Sequence, residues 1–125
     1  MKASTSAIIA AAALASAGSA QAHHSAAMFD MTKTFSIEGT VKDFDWSNPH
    51  AYLSVVVADP GGQAGEWRLE GSSINILARK GWSKTSVKPG DKVQISIHPM
   101  RDGSRGGFML TLKTANSTTL ADHDY

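Results

Sequence analysis

Alternation of apolar and polar residues dominates the middle of the chain. Phe35, Ile37 and Val41 are interleaved with Ser36, Glu38, Thr40 and Lys42, the period-two pattern of a half-buried strand. Gly39 and a change of phase to Phe44 and Trp46 place a bend or bulge in that strand, and Asn48-Pro49 ends it. A second strand runs from about His50 to Ala58, with Leu53, Val55 and Val57 on one face and His50, Tyr52 and Ser54 on the other. Asp59-Pro60-Gly61-Gly62 has the composition of a turn. A short third strand then sets Trp67 and Leu69 against Glu66, Arg68 and Glu70.

There the period changes. Ser72 or Ser73 caps a helix over Ile74 to Lys80 that carries Ile74, Leu77 and Ala78, and Gly81 suits its C-terminal stop. Pro89-Gly90-Asp91 turns the chain into a fourth strand, in which Val93, Ile95 and Ile97 alternate with Lys92, Gln94, Ser96 and His98 before Pro99 closes it. A glycine-rich hairpin loop through Gly103, Gly106 and Gly107 leads to a fifth strand, with Phe108, Leu110 and Leu112 expected inside and Met109, Thr111 and Lys113 outside. The order β-β-β-α-β-β predicts an all-β domain with one short helix, a five-stranded OB-like barrel over residues 35–115 whose helix plugs one end. A half-open sandwich or another small barrel is the competing arrangement.

The flanks lack this patterning. Residues 23–34 read as a flexible N-terminal arm and residues 116–125 as a polar C-terminal tail. Residues 1–22 have the build of a signal peptide: one charge at Lys2, an uncharged stretch from Ile8 to Ala17, and Ala20-Gln21-Ala22 before the cut. That stretch is short for a membrane anchor, so the processed protein is expected to be periplasmic, with no stable membrane anchor.

Charge and cysteine usage narrow the function. Of twelve Lys plus Arg, only Lys2 lies in the leader, leaving eleven against eleven Asp plus Glu. Such a balance argues against nucleic acid as a partner, which calls for a clustered basic surplus. With no cysteine, the domain is held by packing rather than disulfides, and thiolate zinc sites and thiol chemistry are excluded.

Candidate chemistry lies with histidine. Cleavage after Ala22 makes His23 the first residue, so that its amino group and ring can chelate Cu(II), with His24 or a distant histidine completing the site. Cleavage after Ala20 instead leaves Gln21-Ala22-His23, in which the amine, two deprotonated amides and the imidazole form a square plane suited to Cu(II) or Ni(II). In an OB barrel the loops between strands one and two and between strands four and five flank the ligand face. These are Trp46 to His50 and His98 to Gly103, which place His50 and His98 beside that face. Twelve residue steps from His23 to Phe35 span at most about 40 Å, enough for the arm to reach them. The metal candidates are therefore His23, His24, His50 and His98, holding Cu(II) or Zn(II).

Trp46, Asn48, Tyr52, Met100 and Arg101 form a candidate ligand face around the same loops. They carry the alternative, an envelope interaction or adaptor module that binds a protein, peptide or glycan on the outer barrel surface. Trp67 is expected in the core, whereas Trp46 and Trp82 sit at element ends, where aromatics cap a barrel. Glu66 and Glu70 share the outward face of strand three with Arg68 between them and read as a solvated charged face. No nucleophile and base stand out together, so the domain is expected to bind rather than catalyse.

Several short runs carry a family likeness. His23-His24-Ser25 with Met28-Phe29-Asp30, Gly39-Thr40-Val41, Trp46-Ser47-Asn48-Pro49-His50, Trp67 with Glu70-Gly71, Ala78 to Trp82, Pro89-Gly90-Asp91 and Asp102-Gly103 through Gly106-Gly107 resemble a set of small exported bacterial proteins catalogued as a domain of unknown function. The likeness covers nearly the whole chain after the leader and implies a bacterial, Gram-negative periplasmic protein. It implies no activity.

Overall fold

The computed structural model describes residues 26–58 and 64–123. The proposed signal peptide, His23 and His24, the turn at Asp59 to Gly62, and the last two residues of the tail lie outside the described residues. Among the described residues the elements run in the order β1 (Phe35–Asp45), β2 (Tyr52–Val57), β3 (Gly65–Glu70), α1 (Ile74–Arg79), β4 (Lys92–Pro99), β5 (Gly106–Thr114) and β6 (Thr119–Ala121).

β1 pairs antiparallel with β2 on one side and β4 on the other, β2 continues to β3, and β4 continues to β5. A parallel pairing of β3 with β5, Arg68 to Gly106 through Glu70 to Phe108, closes the barrel. This is the five-stranded OB-like barrel expected from the sequence. Closure needs close backbone approach, and a Cβ on Gly107 would lie 2.7 Å from the His98 carbonyl oxygen and 2.8 Å from Ile97 Cδ1.

Alternation fills the interior. Ile37, Leu53, Leu69, Leu77, Ile95, Ile97, Met109 and Leu112 are each almost fully buried, and burying a side chain of this size contributes about 1.5–3 kcal/mol. Ser73 caps α1, its hydroxyl accepting from the Ile76 N–H, and Leu77 is the residue the helix buries. Trp82 is buried beside Phe44, which also meets Trp46, so tryptophans do close one end of the barrel.

Two bulges reset the phase of the strands. In β1 the register shifts between Val41 and Asp43, which lets both Val41 and Phe44 serve the core. In β5 the pairing passes from Thr111 directly to Met109, leaving Leu110 as the extra residue. Strict alternation across this bulge gave the wrong faces: Met109 joins the core, and Phe108 turns outward. β2 is shorter than expected, since His50 and Ala51 precede it.

Both flanks are more structured than their composition predicts. The segment read as an arm is docked from residue 26 onward, with Phe29 3% exposed. Phe29 bridges to Met100, the Asp30 N–H donates to the Pro99 carbonyl, and the Arg101 N–H donates to the Met28 carbonyl. Asp30 then stabilises the turn into β1: one of its carboxylate oxygens accepts from the Thr32 hydroxyl and N–H, and Lys33 lies 3.2 Å from the other. The Thr32 hydroxyl is the main reason the Asp30 carboxyl titrates low, at about 2. At the other end, residues 119–121 of the expected tail form β6 along β5, and Trp82 Nε1–H donates to the Ala121 carbonyl.

Candidate functional site

One row of outward positions crosses the barrel where β3 meets β5. The register places His98 of β4 beside Phe108 of β5, Phe108 beside Glu70 of β3, and Glu70 beside Tyr52 of β2. His50, just ahead of β2, leans onto this row. Its Nδ1 lies 3.1 Å from the Gly71 carbonyl oxygen and 3.3 Å from Glu70 Oε1. A carbonyl oxygen can only accept, so Nδ1 is the donor; in the neutral ring Nε2 then holds the lone pair. The His50 side chain remains 35% exposed.

Glu70 is not the solvated residue that strand alternation suggested. Its side chain is only 10% exposed, and burial raises its pKa, opposed by the nearby charges of His50 and Arg68. Glu66 on the same strand does behave as expected, exposed and 2.8 Å from Lys42 Nζ. The Arg68 guanidinium lies 4.0 Å over the Tyr52 ring. Tyr52 has a raised phenol pKa, mainly through desolvation and next through the charge of Glu70.

His98 has a different role from His50. It points outward as strand parity requires, but the docked N-terminal segment covers it to 4% exposure, and its Nδ1 lies 2.7 Å from the Lys33 carbonyl oxygen. The imidazole therefore fastens the segment to the barrel. The ligand-face candidates are also engaged within the chain. Arg101 Nε donates to the Ala27 carbonyl, Met100 pairs with Phe29, Asn48 Oδ1 accepts from the Ile74 N–H at the start of α1, and Trp46 packs on Phe44. The loop between β4 and β5 thus holds a segment of its own chain.

Two residues from the supposed tail belong to this region. Asp122 is 1% exposed, and its Oδ2 accepts from the Ser72 N–H at 2.8 Å. Its Oδ1 lies 3.5 Å from Nδ1 of His123, whose ring stands edge-on to Phe108 with centroids 4.5 Å apart. Among the described residues, no group of three or more histidine, cysteine, aspartate or glutamate side chains is arranged to hold a metal ion. An open depression of about 930 Å³ lies elsewhere, lined by Glu38, Thr40, Val56, Lys92, Gln94 and Lys113 among others, and it contains no histidine.

Sequence reasoning singled out His50, read Glu70 as solvated, and did not single out Phe108, Asp122 or His123. Glu70 and Phe108 were hidden by the barrel closure and the β5 bulge, which decide what covers each outward position. The Asp122-His123 pair was legible only as two polar residues in a polar stretch.

The chain belongs to the family of unknown function DUF6152, whose model matches residues 11–110. All of the runs that carried the family likeness fall inside that match, including the opening histidines and the Asn-Pro-His segment. No curated protein and no solved structure matches the chain.

Proposed function

We propose that this protein is an exported, periplasmic, non-enzymatic metal-binding domain that takes up Cu(II), or another divalent ion such as Zn(II), through N-terminal histidine and His50. The observation that carries the reading is the anchoring of His50. A metal-ligating histidine typically donates its other ring N–H to a carbonyl or carboxylate, which fixes the tautomer and raises the basicity of the ligating nitrogen. His50 does this toward the Gly71 carbonyl, with Glu70 Oε1 3.3 Å from the same nitrogen, and keeps a partly exposed ring.

Docking of the N-terminal segment supports the same reading. His24 stands five residues before Phe29, and five residues span at most about 17 Å. Phe29 contacts Phe108, whose strand neighbour is Glu70, which touches His50. Adjacent strands lie about 4.8 Å apart, so His23 or His24 can meet His50 across the Phe108 and Glu70 positions. Cleavage after Ala22 or Ala20 decides which amine and amide nitrogens accompany the imidazole.

The adaptor reading has less surface to work with, because Met100 and Arg101 are already occupied by the chain's own segment. Isothermal titration of Cu(II) and Zn(II) into the processed protein, its first residue checked by intact mass, tests the proposal. Stoichiometric binding tighter than micromolar, weakened at least tenfold by His50→Ala, is expected. Binding no tighter than that of a polyhistidine peptide control overturns it.

A further inference from the structure

The geometry points to the outer face of β1, β4 and β5 as a binding site for an acidic oligosaccharide, separate from the histidine region and independent of the metal-binding reading. The open depression of about 930 Å³ lies on this face and has the size of a ligand cleft. Its floor follows from the strand register. Thr40 stands opposite Lys92, Glu38 opposite Gln94, and Gln94 opposite Lys113. Directly opposed residues share a face, so the alternation that sends Ile37, Val93, Ile95 and Leu112 inward sends this polar set outward together.

Two features separate this surface from an ordinary solvated strand face. The first is charge that the fold leaves open. Among the described residues no ion pair engages Glu38 or Lys113, and Lys92 Nζ donates to the Thr40 hydroxyl at 3.4 Å. The second is Ser117, which lines the depression with a backbone φ of 67°. Glycine is unstrained in that left-handed region and serine is not. A serine held there keeps a hydroxyl on the lining at the expense of stability, a pattern that recurs at functional sites.

The lining selects the ligand. Lys92 and Lys113 are diagonal neighbours on adjacent strands, with Cα atoms about 7–8 Å apart, and as two ammonium groups they take spaced anionic groups. Glu38 can only accept, so it repels an anion without donors, whereas the hydroxyls of a sugar acid donate to it. Val56, 45% exposed and paired with Thr40, offers an apolar contact to the C–H face of a sugar ring. A second depression of about 510 Å³ shares Lys92, Thr114 and Ala115 with the first. It adds Lys88 and Asp91, whose Oδ2 accepts from the Lys88 N–H. The two depressions therefore form one groove, which suits an extended chain better than a single sugar.

¹⁵N–¹H NMR of the processed, full-length protein titrated with a short oligogalacturonate tests this. The amide signals of Gln94, Lys113 and Ser117 are expected to move and those of His50 and His98 to stay, while a neutral malto-oligosaccharide of the same length moves none. Replacing both lysines, Lys92→Gln with Lys113→Gln, is expected to weaken binding by about 10-fold, as loss of two exposed ion pairs does. Glu38→Gln is expected to weaken it by about threefold, as loss of one hydrogen bond does, and Ser117→Gly to weaken it while raising Tm. If the wild-type amides stay still, or the neutral oligosaccharide moves them equally, the inference fails. If Glu38→Gln binds more tightly, or a polyglutamate peptide binds as well as the oligogalacturonate, the face is merely cationic and the inference also fails. None of these results bears on the metal-binding reading, which titration with Cu(II) and Zn(II) decides.

Discussion

Replacing Phe29 with alanine separates a docked segment from a loose tether. Phe29 is 3% exposed, packed 5.5 Å from Phe108 at a tilted angle, and centred between the two backbone hydrogen bonds that join residue 30 to the end of β4 and residue 28 to the loop after it. Burying a phenylalanine side chain contributes about 2–3 kcal/mol, and the aromatic pair adds about 0.5–1.5 kcal/mol. The expected loss is therefore about 3 kcal/mol, and in a domain of this size each kcal/mol moves Tm by about 4–8 °C. Chemical denaturation of wild type and Phe29→Ala checks the first figure, and scanning calorimetry checks the second. A loss below about 1 kcal/mol would mean that residues 26–34 hang free, as their composition alone suggests.

The same variant carries a second, smaller expectation for the metal. While Phe29 is docked, five residues separate His24 from a fixed point; once it is released, the nearest fixed point is Phe35, eleven residues away. Loop-closure entropy then rises by about 0.7 kcal/mol, which weakens joint binding by His24 and His50 about threefold. A much larger loss of copper affinity with an intact fold would show that the segment supplies a ligand directly. An unchanged affinity would show that the N-terminal histidines do not close onto the barrel.

Three further outcomes follow from individual contacts. Asp122→Ala strands the buried Ser72 N–H and is expected to cost about 1–3 kcal/mol in urea denaturation; a change under about 0.5 kcal/mol would refute the anchoring role. Gly107→Ala drives a Cβ into the His98 carbonyl and is expected to destabilise by about 1–3 kcal/mol, with amide exchange accelerating first at the β3–β5 closure. Glu70 has a pKa raised by burial, so its folded form resists ionisation: stability is greatest below its ordinary value of 4.5 and falls as pH climbs toward the raised value. Glu70→Gln should therefore gain Tm relative to wild type between pH 4 and pH 7, and a pH-independent difference would refute the burial argument.

The barrel was legible because its strands obey period two over most of their length and because the break at Ser73 to Gly81 switches clearly to helical spacing. Errors began where the ladder gains a residue. At Leu110 one extra residue inverts the faces of Phe108 and Met109, and nothing in the run distinguishes the two phases, since Phe108, Met109 and Leu110 are all apolar. The site was less legible for a related reason. His50 could be placed by loop position, but the burial of Glu70 follows from the β3–β5 closure, and that of His98 from the segment carrying Lys33 and Thr34, which has no periodic signal. Phe29 and Trp82 were the available hints, each a large aromatic in a polar neighbourhood that needed something to pack against.

Glu70 supplies the last step. Nothing in the barrel's packing requires a carboxylate at the final, outward position of β3, and burial there works against ionisation. Glutamine would fill the same space without that cost. Proteins keep such destabilising groups where function uses them, and here the retained charge faces the proton-bearing nitrogen of His50. The same substitution that should stabilise the metal-free fold at neutral pH should then weaken metal binding by about 10–100-fold, the usual effect of losing a carboxylate behind a ligating imidazole. Opposite signs from one change, measured by melting and by titration on the same preparation, distinguish a carboxylate kept for the metal from one that merely sits in the wall. Loss of stability with no loss of affinity would assign Glu70 to the fold and leave His50 positioned by Gly71 alone.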